Sequence, residues 1–235
     1  MVLGIVTLLL GILIPVLSKA RRQALQVACL SNVRQITVAL IAYANDHRGC
    51  FPTSASALKV QDEDWVHWQP NRDLNESRLW PYMGGDQNVL KCPMGVPERA
   101  RDLTPPYPFS YSVNMLFTGL IDLDIAPPWN TPPSRLSGTV RASEKMLVVE
   151  EDASAISDGA WYPTNRKYWV GNRMPYVSVR HDGDGREHSG FEDFPIYVGR
   201  GNIGFADGHA DFVDRRNGMA EYYFNPPYDG PVPMR

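Results

Sequence analysis

Side chains able to bind a metal crowd into one late stretch of the chain: His181, Asp182, Asp184, Glu187, His188, Asp207, His209 and Asp211. Loop carboxylates supply the oxygen ligands that Ca2+ takes, and imidazoles among carboxylates suit Zn2+. The candidate ligands are His181, Asp182, Asp184, Asp207 and His209, with Ca2+ the first ion to consider. The run from Asp182 fails the twelve-residue Ca2+-loop template, because Arg186 and Glu187 stand at its fifth and sixth positions, where a ligand and a glycine belong. The plainer reading makes Asp182-Gly183, Asp184-Gly185 and Asp207-Gly208 turns, chosen because their residues tolerate positive φ. Beyond a turn, the best set is His181 with Asp207 and His209, which a closing hairpin would unite around a buried His–Asp hydrogen bond. Enzyme signatures are missing: no Gly-x-Ser-x-Gly, phosphate-binding loop, His-Glu-x-x-His or dinucleotide fingerprint occurs. Glu150-Glu151-Asp152 reads as a solvated strand end, and no enzymatic activity is expected.

The elements that must position these residues are of two kinds. Residues 1–18 carry no charge, and Lys19, Arg21 and Arg22 follow. That run is slightly short of the roughly 20 residues of a membrane span. It lacks the leading basic region of a secretory signal, so a retained anchor is expected. Apolar residues then recur at Leu25, Cys29, Val33, Ile36, Leu40 and Tyr43, one stripe of a helix, with Gln23, Gln26, Arg34 and Gln35 off it. One helix from about 2 to 46, roughly 65 Å long, is predicted, kinked at Pro15 and capped by Gly49. Its first half is apolar all round and its second half amphipathic.

Pro and Gly punctuate residues 70–138 too often for long helices, yet Trp65, Trp68, Trp80, Tyr82, Tyr107, Phe109, Tyr111 and Phe117 argue for ordered loops. Strand signals follow at 146–149, 168–170, 176–179 and 196–198. A hairpin joins 202–206 to 209–213 through Asp207-Gly208. With no helices between them, these strands predict an antiparallel sheet.

Charge divides the chain in the same place. Residues 1–50 carry a net charge of +4 and the remaining 185 carry −7. A hydrophobic fraction of 43% excludes wholesale disorder and a polytopic membrane protein. Nucleic-acid binding is not expected, since the positive charge does not lie on the body.

Pro15, Ser18, Ala20, Arg21, Cys29 to Asn32, Arg34 to Ile36 and Tyr43 to Asp46 resemble the N-terminal region of bacterial type IV pilin-like proteins. The closest likeness is to the pseudopilin-like, type II secretion G-type family with its prepilin-type methylation motif. That family ends in a His-x9-Asp-Gly region, and Arg180-His181, Asn202, Phe205, Asp207, Gly208 and His209 fit its two ends. Here 25 residues separate His181 from Asp207, which an insertion at roughly 184–200 explains. Val89 to Pro93 and Ser110 to Asn114 match the family's Cys-Pro and Ser-Tyr-x-x-Asn elements. The family's leader Gly and its Phe-Thr-Leu-x-Glu do not precede Met1. The start lies upstream, the chain is a shortened form, or this member is not processed; methylation is what the resemblance implies, and these residues do not themselves carry the motif for cleavage or N-methylation.

The resemblance implies an α+β, pilin-like fold: a long N-terminal helix packed on an antiparallel sheet head with extensive loops. Residues 1–46 would form the membrane and filament helix, and 47–235 a periplasmic or extracellular head. The basic residues after the apolar run would by themselves be placed in the cytoplasm; the family places that region outside the inner membrane, and we follow the family. The expected function is a structural subunit of a type II secretion or type IV pilus-like assembly. Its partners would be the inner membrane, like subunits and assembly proteins. The alternative is a membrane-anchored envelope enzyme or ligand-binding domain on a pilin-like anchor. Related pseudopilins bind Ca2+ in a C-terminal loop, which adds to the Ca2+ reading. A periplasmic head would permit a Cys50–Cys92 disulfide, leaving Cys29 as a small buried apolar residue on the helix stripe.

Overall fold

The computed structural model describes residues 2–57, 60–94, 107–119, 134–152, 156, 158–161, 177–182, 199–215 and 221–227. Helix α1 spans Val2–Asp46 and contains Pro15. It ends as the sequence predicts: Arg48 and Gly49 take positive φ, and Gly49 N–H closes the last turn on the Ala44 carbonyl at 2.7 Å. Its two halves differ in environment. From Cys29 onward the predicted stripe is buried, with Cys29, Val33, Ile36 and Leu40 fully enclosed; Leu25 is half-buried. In the first half Ile5, Leu9, Ile12, Leu13, Ile14 and Leu17 are exposed. Among the described residues no helix is long and apolar enough to cross a membrane.

The sheet has five strands: β1 (Tyr111–Asn114), β2 (Met146–Glu150), β3 (Ala160–Trp161), β4 (Arg200–Phe205) and β5 (Ala210–Asp214), in the order β3-β1-β2-β4-β5. The pairs β1–β2, β2–β4 and β4–β5 are antiparallel, while β1–β3 is parallel. The sheet is therefore mixed, which corrects the fully antiparallel expectation. After β2 the chain passes beyond β1 and pairs on its outer edge, so β3 runs against β2 and hence with β1. Val113 N–H on the Gly159 carbonyl and Ser112 Oγ on the Asp158 carbonyl fix it there.

The predicted hairpin is present, but its loop is longer than two residues. Phe205 N–H bonds the His209 carbonyl at 2.8 Å and Gly208 N–H bonds the Phe205 carbonyl at 2.9 Å. Gly208, at φ 98°, supplies the positive-φ residue that such a turn-plus-bulge loop requires. Of the other predicted strands, 168–170 and 196–198 lie outside the described residues, and in 176–179 Val177 makes a single bridge to Glu151.

The buried half of α1 lies across β2, β4 and β5, closest at Gly204. A Cβ at Gly204 would stand 3.1 Å from Thr37 Cβ and 3.2 Å from Val33 Cγ1, and would collide with Thr37 Oγ1. Only a strand position without a side chain lets the helix sit that close. One core joins the helix face to Trp65, Leu79, Leu90, Tyr111, Phe117 and Val148, and a second packs Met146, Val149, Trp161 and Ile203. Of the loop stretch 70–138, the described residues bury Leu79, Leu90, Tyr107, Phe109 and Phe117 in the core, while 95–106 and 120–133 lie outside the described residues. Buried Asp64 gathers the preceding segment, accepting from Thr53 Oγ1, Ala55 N–H, Gln61 N–H and Arg72 Nη1 at 2.7 to 3.1 Å.

Candidate functional site

Cys29 and Cys92 form a disulfide between α1 and the loop before β1, with Cα atoms 5.4 Å apart. Cys50 is a free, half-buried thiol, which corrects the predicted Cys50–Cys92 pairing. The reason is local. One turn along α1 from Cys29, Asn32 Nδ2 donates to the Lys91 carbonyl at 3.1 Å, and Cys92 N–H donates to Ser110 Oγ at 3.0 Å. These two anchors turn Cys92 toward the helix. The backbone at Cys50 instead pairs with Arg135 in an isolated antiparallel bridge.

His181 completes the cluster. Its Nε2 lies 3.4 Å from Cys92 Sγ and 3.2 Å from Glu150 Oε1. Its side chain is 1% exposed and that of Glu150 is fully buried. Arg180 Nε stands 3.2 Å from Glu150 Oε1, and Asn202 Nδ2 donates to Oε2 at 2.8 Å. The strands explain this convergence: Glu150 ends β2, Asn202 lies on neighbouring β4, and Ser178 N–H bonds the Glu150 carbonyl at 2.7 Å. Arg180 is braced by Ser178 Oγ at 2.9 Å and by the Glu151 carbonyl at 3.0 Å. A buried carboxylate persists only when paired and hydrogen-bonded, and Arg180 with Asn202 meets both needs. Among the described residues, the buried atoms without a hydrogen-bond partner include His181 Nδ1 and Asn202 Oδ1 of this cluster. Beside the cluster, burial pushes the Tyr111 phenol up, and the nearby charge of Glu150 adds to the effect.

The run Glu150-Glu151-Asp152 is buried throughout, so it is no solvated strand end. Asp152 pairs with Arg215 at 3.2 Å. A cleft of about 370 Å3 opens above His181, with Lys19 and Arg22 of α1, Asp182 and Arg200 on its walls. Arg200 lies over the Phe212 ring, 4.8 Å from its centroid.

The other predicted ligands do not join this cluster. Asp182 Oδ2 accepts from Arg200 N–H at 2.8 Å at the start of β4, whereas Asp207 and His209 occupy the loop after its end. About 17 Å of strand lies between, at about 3.3 Å per residue. The predicted union of His181 with Asp207 and His209 therefore fails: the hairpin closes on itself and carries the pair away from His181. Asp207 and His209 do bond each other, Nδ1 to Oδ1 at 2.6 Å, but exposed, with the His209 ring stacked on Phe205. Burial alone would push the Asp207 carboxyl up, but the backbone and side-chain hydrogen bonds from His209, and its charge, outweigh this and lower it. Asp211 caps the Phe212 N–H at 2.7 Å. Asp184, Glu187 and His188 lie outside the described residues.

Among the described residues, the group of metal-ligand types that converges is Cys29, Cys92, Glu150 and His181, one ligand atom from each lying within 4.8 Å of all the others. Sequence reasoning overlooked Cys29 and Glu150. His181 and the three cysteines stood out by residue type, but no spacing in the sequence joined them to Glu150. Comparison with protein-family models, with curated proteins and with solved structures finds no match.

Proposed function

We propose that this chain is a pilin-like or pseudopilin-like structural subunit, held at the inner membrane by the first half of α1, with residues 47–235 as a head outside it. The observation that carries the reading is the contrast along one helix. Nine large apolar residues between Ile5 and Leu17 are 47–64% exposed, while the stripe from Cys29 to Ala44 is buried against the sheet. Water does not tolerate so long an apolar rod: covering each Leu, Ile or Val is worth about 1.5–3 kcal/mol when complete, and a contiguous exposed patch marks an interaction surface. The apolar run measures about 26 Å at 1.5 Å per residue, against about 30 Å of hydrocarbon. Such a helix gains from like helices beside it as well as from lipid. The docked second half makes rod and head one lever, as a subunit transmitting load requires.

Fractionation and cross-linking test this. Leu13→Cys in the full chain, oxidised in cells, should give membrane-borne disulfide dimers through the N-terminal half, and Val6→Cys combined with Leu13→Cys should extend them to higher species. A soluble chain without such species would refute the reading. A membrane-borne monomer would shift the balance to the anchored envelope domain.

A further inference from the structure

We propose that reduction of the Cys29–Cys92 bond turns the buried cluster into a site for a thiophilic divalent cation, Zn2+ foremost, held by both cysteine sulfurs, His181 and Glu150. This does not rest on the filament reading.

The donor set is of the kind zinc takes: two sulfurs, one imidazole and one carboxylate. Tetrahedral bonds of about 2.3 Å to sulfur and 2.0–2.1 Å to nitrogen or oxygen put ligand atoms about 3.3–3.8 Å apart. His181 Nε2 is already 3.4 Å from Cys92 Sγ and 3.2 Å from Glu150 Oε1. The sulfurs, bonded at about 2.05 Å in a disulfide, need only separate by rotation about their Cα–Cβ bonds.

His181 gives an independent sign. Its Nδ1 is buried and unpartnered, a state that costs about 1–3 kcal/mol and calls for a missing partner. With nothing holding Nδ1, the ring is free to adjust while its Nε2, already facing Cys92 and Glu150, takes the metal. Asn202 on Glu150 Oε2 supplies the outer support that fixes a ligating carboxylate.

Charge also balances in both states. With the disulfide, Glu150 and Arg180 neutralise each other. With metal, a dication and two thiolates sum to zero and the Glu150 and Arg180 charges still cancel, although Glu150 now also faces the metal, so neither state buries a net charge.

The chemistry closes. A dithiol reductant gives two electrons and two protons to the sulfur–sulfur bond, leaving two thiols and becoming a disulfide itself. Metal binding then displaces the two thiol protons. In the bonded form the sulfurs carry no charge and ligate poorly, so the bond is the gate. The cleft above His181 is the route of entry.

The test uses the full chain carrying Cys50→Ser, in mild detergent, reduced with a dithiol that is then removed under argon. Zn2+ alone is titrated against a chromophoric chelator, and Co2+ alone is followed by absorption. Reduced chain should take one equivalent, at least a hundredfold more tightly than oxidised chain. Co2+ should show a thiolate charge-transfer band with intense tetrahedral d–d bands. His181→Ala should weaken binding at least tenfold. Failure of the reduced chain to bind, a weak octahedral Co2+ spectrum without thiolate absorption, or undiminished binding in Cys29→Ser would each overturn the proposal. The Co2+ spectrum is read with all four ligands intact, so it does not depend on a variant folding.

Discussion

Gly204→Ala tests the docking of α1 directly. In a strand without an overhead neighbour, this change removes conformational freedom from the unfolded chain and stabilises by about 0.4–1 kcal/mol. Here the new methyl would strike Thr37 Oγ1 and stand 3.1 Å from Thr37 Cβ and 3.2 Å from Val33 Cγ1. The hydroxyl cannot swing away without loss, because it donates to the Val33 carbonyl at 2.7 Å. The helix must therefore lift, loosening Val33, Ile36 and Leu40 over the sheet. Overpacking of this sort costs about 1–3 kcal/mol, or roughly 2–12 °C in Tm at about 2–4 °C per kcal/mol for a chain of this size. Thr37→Ala removes the struck atom. In that background Gly204→Ala should cost less than about 1 kcal/mol, giving a coupling of about 1–2 kcal/mol in the double-mutant cycle. Urea unfolding of the full chain in mild detergent, followed by tryptophan fluorescence, measures all four corners. Stabilisation by Gly204→Ala, or an equal cost in both backgrounds, would refute close seating of the helix on β4.

The Cys29–Cys92 bond spans 63 residues; loop-closure entropy gives about 4 kcal/mol for a ring of that size, so metal-free reduction should lower the urea midpoint accordingly. Arg180→Met leaves the Glu150 carboxylate buried without its cation and should cost about 3–5 kcal/mol. Restoring charge balance with Glu150→Gln in the same chain should recover part of that loss in the same unfolding assay. The phenols of Tyr43, Tyr82 and Tyr111 are all raised, each mainly by burial. The native state thus favours their protonated form. Their contribution is intact below the unfolded value of about 10 and is lost as pH rises beyond it. Stability measured across alkaline pH should fall there, and Tyr111→Phe should blunt the fall.

Periodicity alone determined α1, since its apolar spacing continues without interruption and Gly49 supplies a left-handed stop. It also determined the β4–β5 hairpin, because Asp207-Gly208 states a turn locally. Of the ligands expected from sequence, only His181 lies in the buried cluster; Cys29 read as a small apolar helix residue and Glu150 as a solvated strand end. Tertiary structure decided the rest. Whether Cys92 bonds Cys29 or Cys50 depends on Asn32 and Ser110 turning one loop toward the helix, and no spacing encodes that. Whether Glu150 faces water or His181 depends on β4 and the segment around Arg180 closing over the end of β2. Whether β3 runs with or against β1 depends on which sheet edge is open when the chain returns. Local chemistry fixes what a segment is; the sum of contacts between distant segments fixes what it touches.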